Sequence, residues 1–277
     1  MRRSRRLRAV VLARRLAFPR SRAMLALMAT CALYDAAILR AALASSEHSS
    51  SSLSLLYALY LLYRGEPERA LSLHSPPVVP FRWLMGQALF FAVAACALRQ
   101  AGGGADRQRL LRVGSSGAWW GAVCLATLLL AVARLALSLA ICACFSASSW
   151  IGAQAEAGTV VSQVDARACA AGVSSQALFA HTALCILLPH ILLAQLLALL
   201  SLYMKPFWSF ACVAAISAAS AIVPGPFPFG DWSMLARNAL YAPGGLSPYA
   251  LEALSIVLCA SCAAIGFARI NARPEFL

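Results

Sequence analysis

The chain has 277 residues, of which 61% are hydrophobic and only 12% charged, with a formal net charge of +13. A soluble domain of this length has too little interior to hide that much apolar surface, so the composition excludes an ordinary globular protein and predicts an integral membrane protein. The positive charge does not indicate a nucleic-acid partner: the basic residues, 22 Arg and a single Lys, sit at the ends of apolar runs without interleaved stacking aromatics.

In chain order, Met1 to Arg22 carries nine Arg and no acid, with Leu7, Val10, Val11, Leu12, Leu16 and Phe18 spaced along one helical face. This predicts an amphipathic interfacial helix on the cytoplasmic leaflet over residues 1–22, ended by Pro19; a disordered basic tail is the alternative. Residues 23–277 form the second unit, a transmembrane domain. Its first span runs from Ala23 to about Ala44, its second from Phe81 to Leu98, each close to the ~20 residues a bilayer requires. Between them Leu53 to Tyr63 is apolar but too short to cross. It is expected to pack in the outer leaflet or as a half-buried helix over the bundle.

The stretch Asp106 to Trp120 turns from charge into a long apolar helix. Arg107, Arg109 and Arg112 lie in its polar loop, and Trp119 and Trp120 are expected where that loop meets the lipid headgroups, since an indole is apolar yet keeps one N–H for water. The third span is Trp119 to Phe145. The fourth, about Ser175 to Tyr203, contains Pro189, where a kink is expected. A turn at Met204-Lys205-Pro206 leads into the fifth span, Phe207 to Val223. There Ala211, Ala215 and Ala219, with Ser217 and Ser220, offer a small-residue face for close helix contact. Pro224 to Pro248 is a loop with an amphipathic piece at Met234 to Tyr241, and Tyr249 to Phe267 is the sixth span. The fold class is thus all-α: a polytopic integral membrane protein of six transmembrane helices.

With both termini cytoplasmic, the inner segments hold sixteen basic residues and the outer ones five, namely Arg64, Arg69, Arg82, Arg167 and Arg237. That asymmetry follows the positive-inside rule, which orients the spans of a cell-membrane protein with both termini inside. Two charges, Asp35 and Arg134, fall deep within spans, where an isolated charge costs roughly 2.5 to 3.5 kcal/mol on insertion scales. Asp35 lies about 18 Å along the first span and Arg134 about 24 Å along the third, a difference that a long Arg side chain can close. They are therefore a candidate intramembrane ion pair, either bridging two spans or lining a conduit. Arg40 points elsewhere and snorkels, and Glu252 is a second possible partner for Arg40 or Arg134.

The chemistry of an enzyme is missing. There is no HExxH, GxSxG or paired-Cys zinc pattern, and the only Lys, Lys205, precedes Pro206 in a turn, so no Walker A loop exists. His181, Cys185 and His190 share the fourth span but lack a carboxylate or a third ligand beside them. They are read as packed or polar-bridging residues. Nine of the ten Cys, including the Cys259–Cys262 pair, lie in apolar runs and behave as small hydrophobes. No catalytic residue, cofactor or metal ligand is assigned.

Several stretches together resemble the six-span permease subunits of ABC-2 type exporters. They are Pro80-Phe81-Arg82-Trp83-Leu84-Met85, Arg107-Gln108-Arg109-Leu110-Leu111-Arg112 followed by Ser115 and Trp119-Trp120, Gly230-Asp231-Trp232-Ser233-Met234 with Arg237, and the closing Gly266-Phe267-Ala268-Arg269. The resemblance covers about half the chain by spacing and residue type. It implies a membrane subunit without enzymatic activity, driven by a separate cytoplasmic ABC ATPase and paired with a second copy or a sister permease. Arg107, Arg109 and Arg112 would be the ATPase-coupling loop. The alternative is a membrane protein that transports nothing, an assembly factor or sensor subunit. The discriminating feature is whether an ATP-binding subunit accompanies it.

Overall fold

The computed structural model describes residues 10–14, 17, 22–45, 55–65, 80–101, 116–146, 174–222, 232–241 and 245–272. Seven helices are named here in chain order: α1 Arg22–Ser45, α2 Leu55–Tyr63, α3 Phe81–Ala101, α4 Ser116–Ser146, α5 Ser175–Leu200, α6 Pro206–Ile222 and α7 Pro248–Ala272. A 3-10 turn, Leu235–Arg237, lies between α6 and α7. Among the described residues there is no strand, only a bridge between Asn238 and Leu246.

Five helical segments are long and apolar enough to cross a membrane: Arg22–Ala42, Phe81–Arg99, Gly117–Ser146, Gln176–Leu200 and Pro248–Ala272. Pro206–Ser220 is equally apolar but shorter. Their outward faces carry Leu25, Leu33, Val132, Phe207, Trp208, Ile256, Val257 and Phe267, all more than two-fifths exposed. So large an apolar exterior is stable only in lipid. The chain is a multi-pass membrane protein.

Contacts at helix ends set the helix directions. Tyr34 in the middle of α1 donates its hydroxyl to the Arg82 carbonyl at the start of α3, at 2.6 Å. Trp120 at the start of α4 donates Nε1–H to the Ala263 carbonyl late in α7, at 2.7 Å, so these two helices run antiparallel. Trp120 is buried, and its ring occupies the space that a Cβ on Gly266 would need. The expectation that the Trp pair marks the headgroup level is therefore corrected for Trp120. The glycine lets α7 come close enough for the indole N–H to be satisfied by a backbone carbonyl instead of by water.

The small-residue face of α6 is also corrected. Ser209, Val213, Ser217 and Ser220 are buried, while Ala215 and Ala219 face outward. Ser217 and Ser220 return their hydroxyls to the carbonyls of Val213 and Ser217, at 3.1 and 2.8 Å, so a serine face can pack without an orphaned donor. Helix α5 continues unbroken through Pro189. In the N-terminal segment residues 10–14 are helical; Ala13 and Ala17 join the main apolar cluster, whereas Val10 and Val11 stay exposed.

Two non-spanning pieces fill one half of the bundle. Helix α2 buries Ala58, Leu59, Tyr60, Leu62 and Tyr63 against Leu39 of α1, Cys142 of α4, and Leu178 and Ile186 of α5. It lies deeper than a half-buried cover. The stretch 232–238 is wholly buried and consists of 3-10 turns, not an amphipathic helix at Met234 to Tyr241. The two pieces meet where the Ala236 amide donates to the Arg64 carbonyl at 2.9 Å and Gly65, at φ +62°, packs on Met234. Irregular backbone survives at such depth because protein groups satisfy it.

Candidate functional site: a buried polar network between α1, α2, α4 and α5

The site begins with three positions on the inner faces of two helices. Asp35 on α1 is 1% exposed, and Arg134 and Ser138, one turn apart on α4, are 5% and 0% exposed. Arg134 Nη1 and Nη2 donate to Asp35 Oδ2 and Oδ1 at 2.5 and 2.7 Å, and Ser138 Oγ donates to Oδ2 at 2.9 Å. This is an end-on, two-pronged pair, the geometry in which a guanidinium and a carboxylate best offset their lost hydration. The two charges singled out in the sequence are brought together.

Tyr63, the last residue of α2, extends the network. Its hydroxyl lies 3.0 Å from Ser138 Oγ; because Ser138 spends its own proton on Asp35, the tyrosine is the donor. Burial pushes the Tyr63 phenol above its usual range, which keeps that proton in place. The Tyr63 ring meets the His190 ring edge-on at 5.7 Å, and His190 in turn meets Phe90 of α3 at 4.9 Å. His190 Nδ1 donates to the Ile186 carbonyl at 2.6 Å, leaving Nε2 as the ring's other hydrogen-bonding atom. Arg134 Nε, by contrast, is buried without a partner among the described residues.

A second polar layer belongs to the 232–241 stretch. Ser233 Oγ accepts from Trp83 Nε1 and Gln87 Nε2 of α3 at 3.2 and 3.0 Å. Arg237 Nη1 donates to the Ser220 carbonyl at 2.9 Å, Asn238 Nδ2 to Cys185 Sγ at 3.1 Å, and Tyr241 pairs with Thr182 at 2.7 Å. Arg237 is thus buried in the bundle and not in an exposed outer loop.

Glu252 is not the partner of Arg40 or Arg134. Its Oε1 lies 2.9 Å from His181 Nδ1, and Tyr249 stacks edge-on against the same imidazole at 4.9 Å. Helices α5 and α7 start at the same level, which puts these side chains side by side; Arg40 is exposed. Among the described residues no three His, Cys, Asp or Glu converge on a metal position. Arg107, Arg109 and Arg112 lie outside the described residues.

No family model, curated protein or solved structure matches this chain. Function is therefore argued from the site itself. Ser138 was within reach of sequence reasoning, since it follows Arg134 by four positions and so shares its helical face. Tyr63 and Ser233 were not, because only the insertion of α2 and of the 232–241 stretch brings them in; His190 was read as a packed or polar-bridging residue, and its ring contacts are with Tyr63 and Phe90.

Proposed function

We propose that this chain is the membrane subunit of an export complex, driven by a separate cytoplasmic ABC-type ATPase and working beside a second copy or a sister permease. The observation that carries the reading is the polar network between α1, α2, α4 and α5. Placing Asp35, Arg134 and Ser138 at the centre of an apolar bundle costs about 2.5–3.5 kcal/mol per ion on insertion scales, a cost that a bundle of fixed helices avoids with apolar residues of similar volume. A bundle whose helices must separate and close again has a use for a pair that is strong when dry and weak when wet.

In this reading α6, with 17 residues and about 25 Å of rise, is the sixth span, at the short end of what a bilayer accepts. The basic N-terminal segment lies along the cytoplasmic face of a bacterial inner membrane, with Ala13 and Ala17 against the bundle and Val10 and Val11 toward lipid. Both termini are cytoplasmic. The Arg107, Arg109 and Arg112 loop then meets an acidic groove on the ATPase. The sequence contains no Walker A loop, and in this reading the energy source is a partner.

The test reverses all three loop charges to Glu and measures co-purification with the ATP-binding subunit alongside membrane insertion. Co-purification falls while insertion stays intact; undiminished co-purification rejects the coupling role.

A further inference from the structure

We infer that Cys212 and Met204 form a two-sulfur site for a soft monovalent cation of the copper(I) or silver(I) type. The Cys212 thiol on α6 donates to the Met204 thioether at 3.9 Å, eight residues back in the turn between α5 and α6. Backbone bonds fix that turn. The Tyr203 and Met204 amides donate to the Leu200 carbonyl at 2.9 and 3.0 Å, and the Trp208 and Ser209 amides to the Lys205 carbonyl at 2.9 and 3.1 Å. The two sulfurs therefore face each other before any ligand arrives. Both residues are half-buried, and Tyr203 and Lys205 on either side of Met204 are exposed, so the pair is reached from the end of the bundle.

The donors select the ion. A thiolate and a thioether are soft, polarisable ligands, a combination that suits copper(I) and not magnesium or calcium. Zinc also accepts thiolate but takes four ligands, and among the described residues no three His, Cys, Asp or Glu converge on a metal position. A filled-shell monovalent ion is satisfied by two sulfurs in line. Charge balance points the same way. One thiolate cancels one positive charge, so a monovalent ion leaves the site neutral, whereas a divalent ion leaves an uncancelled charge beside Lys205 and lipid.

Binding is an exchange of one cation for another. Cys212 S–H and M⁺ give S–M and H⁺; the proton passes to water and no electron is transferred. The ion takes the place of the proton on the same sulfur-to-sulfur line. At about 2.3 Å per metal–sulfur bond, a linear S–M–S unit spans about 4.6 Å. The sulfurs then part by about 0.7 Å from their 3.9 Å separation, a shift that the flexible, unbranched Met204 side chain accommodates. The site does not depend on the exporter reading, and its test needs no ATPase.

The purified full chain in maltoside micelles is titrated without oxygen against copper(I) bicinchoninate, whose colour fades as the protein takes the metal. The other nine cysteines set a background, so the quantity read is the difference between variants. Cys212→Ser is expected to hold one equivalent fewer than the wild type and to release one proton fewer on loading. Met204→Leu keeps the bulk but removes the thioether, and weakens that equivalent at least about tenfold. Zinc(II) at equal concentration does not displace it. Equal copper(I) capacity in the wild type and a folded Cys212→Ser protein overturns the assignment, as does displacement by zinc(II). If the Ser variant does not fold, wild-type affinity in Met204→Leu overturns it.

Discussion

Replacing Asp35 by Asn preserves shape and removes one charge, so its consequences can be worked from the contacts. Arg134 loses the carboxylate that takes both of its Nη groups, and Ser138 loses a charged acceptor for a neutral one. Truncating one partner of a buried pair costs about 3–5 kcal/mol, mostly because the other charge stays buried and uncompensated. Arg134→Gln alone leaves the opposite orphan, a carboxylate still supported by Ser138 at 2.9 Å, with a loss of the same order, about 3 kcal/mol. In the double variant neither charge remains. Its loss is then smaller than the sum of the single losses by about 0.5–3 kcal/mol, the range found for residues in direct contact. The assay is equilibrium unfolding in mixed micelles with denaturing detergent, followed by tryptophan fluorescence, on the wild type and three variants. Strictly additive losses would refute the reasoning, since they would mean that each charge is stabilised separately.

Gly266→Ala drives a methyl into the Trp120 ring and costs about 1–3 kcal/mol in the same unfolding assay; a neutral outcome would show that α4 and α7 pack less closely than described. Gly65→Ala is destabilising for two reasons, a φ of +62° and Met234 Cγ at 2.6 Å from the new Cβ, and a stability equal to wild type would argue against the meeting of α2 with the 232–241 stretch. Tyr63→Phe removes the donor to Ser138 and is expected to cost about 0.5–1.5 kcal/mol, less than Ser138→Ala, which strips a hydrogen bond from Asp35 and leaves the Tyr63 hydroxyl without its acceptor; the reverse order would place Tyr63 outside the network. For topology, single cysteines at Ser50 and Ser162 on a Cys-free background are expected to label from outside and one at Gly103 to be protected; outside labelling at Gly103 sinks the orientation.

Much of the architecture was legible because apolar length is a local property. A long, predominantly apolar run such as Trp119 to Phe145 has to be a helix in lipid, where every amide needs an intrahelical acceptor, and no tertiary contact is required to reach that conclusion. The Asp35–Arg134 contact was legible for a similar reason. Two opposite charges at comparable depth have few alternatives to each other, and depth follows from residue count alone.

What the helices present to one another was not legible. Trp120 reads as an interfacial residue from its neighbours, and only the close approach of Gly266 and the Ala263 carbonyl makes it a buried helix contact. Glu252 was open to several cations until α5 and α7 started level with each other and gave it His181. On α6 alanines and serines both recur at helical spacings, and packing against the neighbouring α3 decides which face is buried.

The sequence by itself determined that the chain lives in a bilayer and roughly where its long helices begin and end, and it singled out Asp35 and Arg134 as candidates to meet inside. The tertiary structure alone decided that α2 and the 232–241 stretch turn inward, carrying Tyr63 to Ser138 and Asn238 to Cys185. Neither piece has the length or the periodicity that announces burial. Their position comes from backbone and side-chain hydrogen bonds to partners between 53 and 172 residues away, and such non-local pairings leave no mark in any short window of sequence.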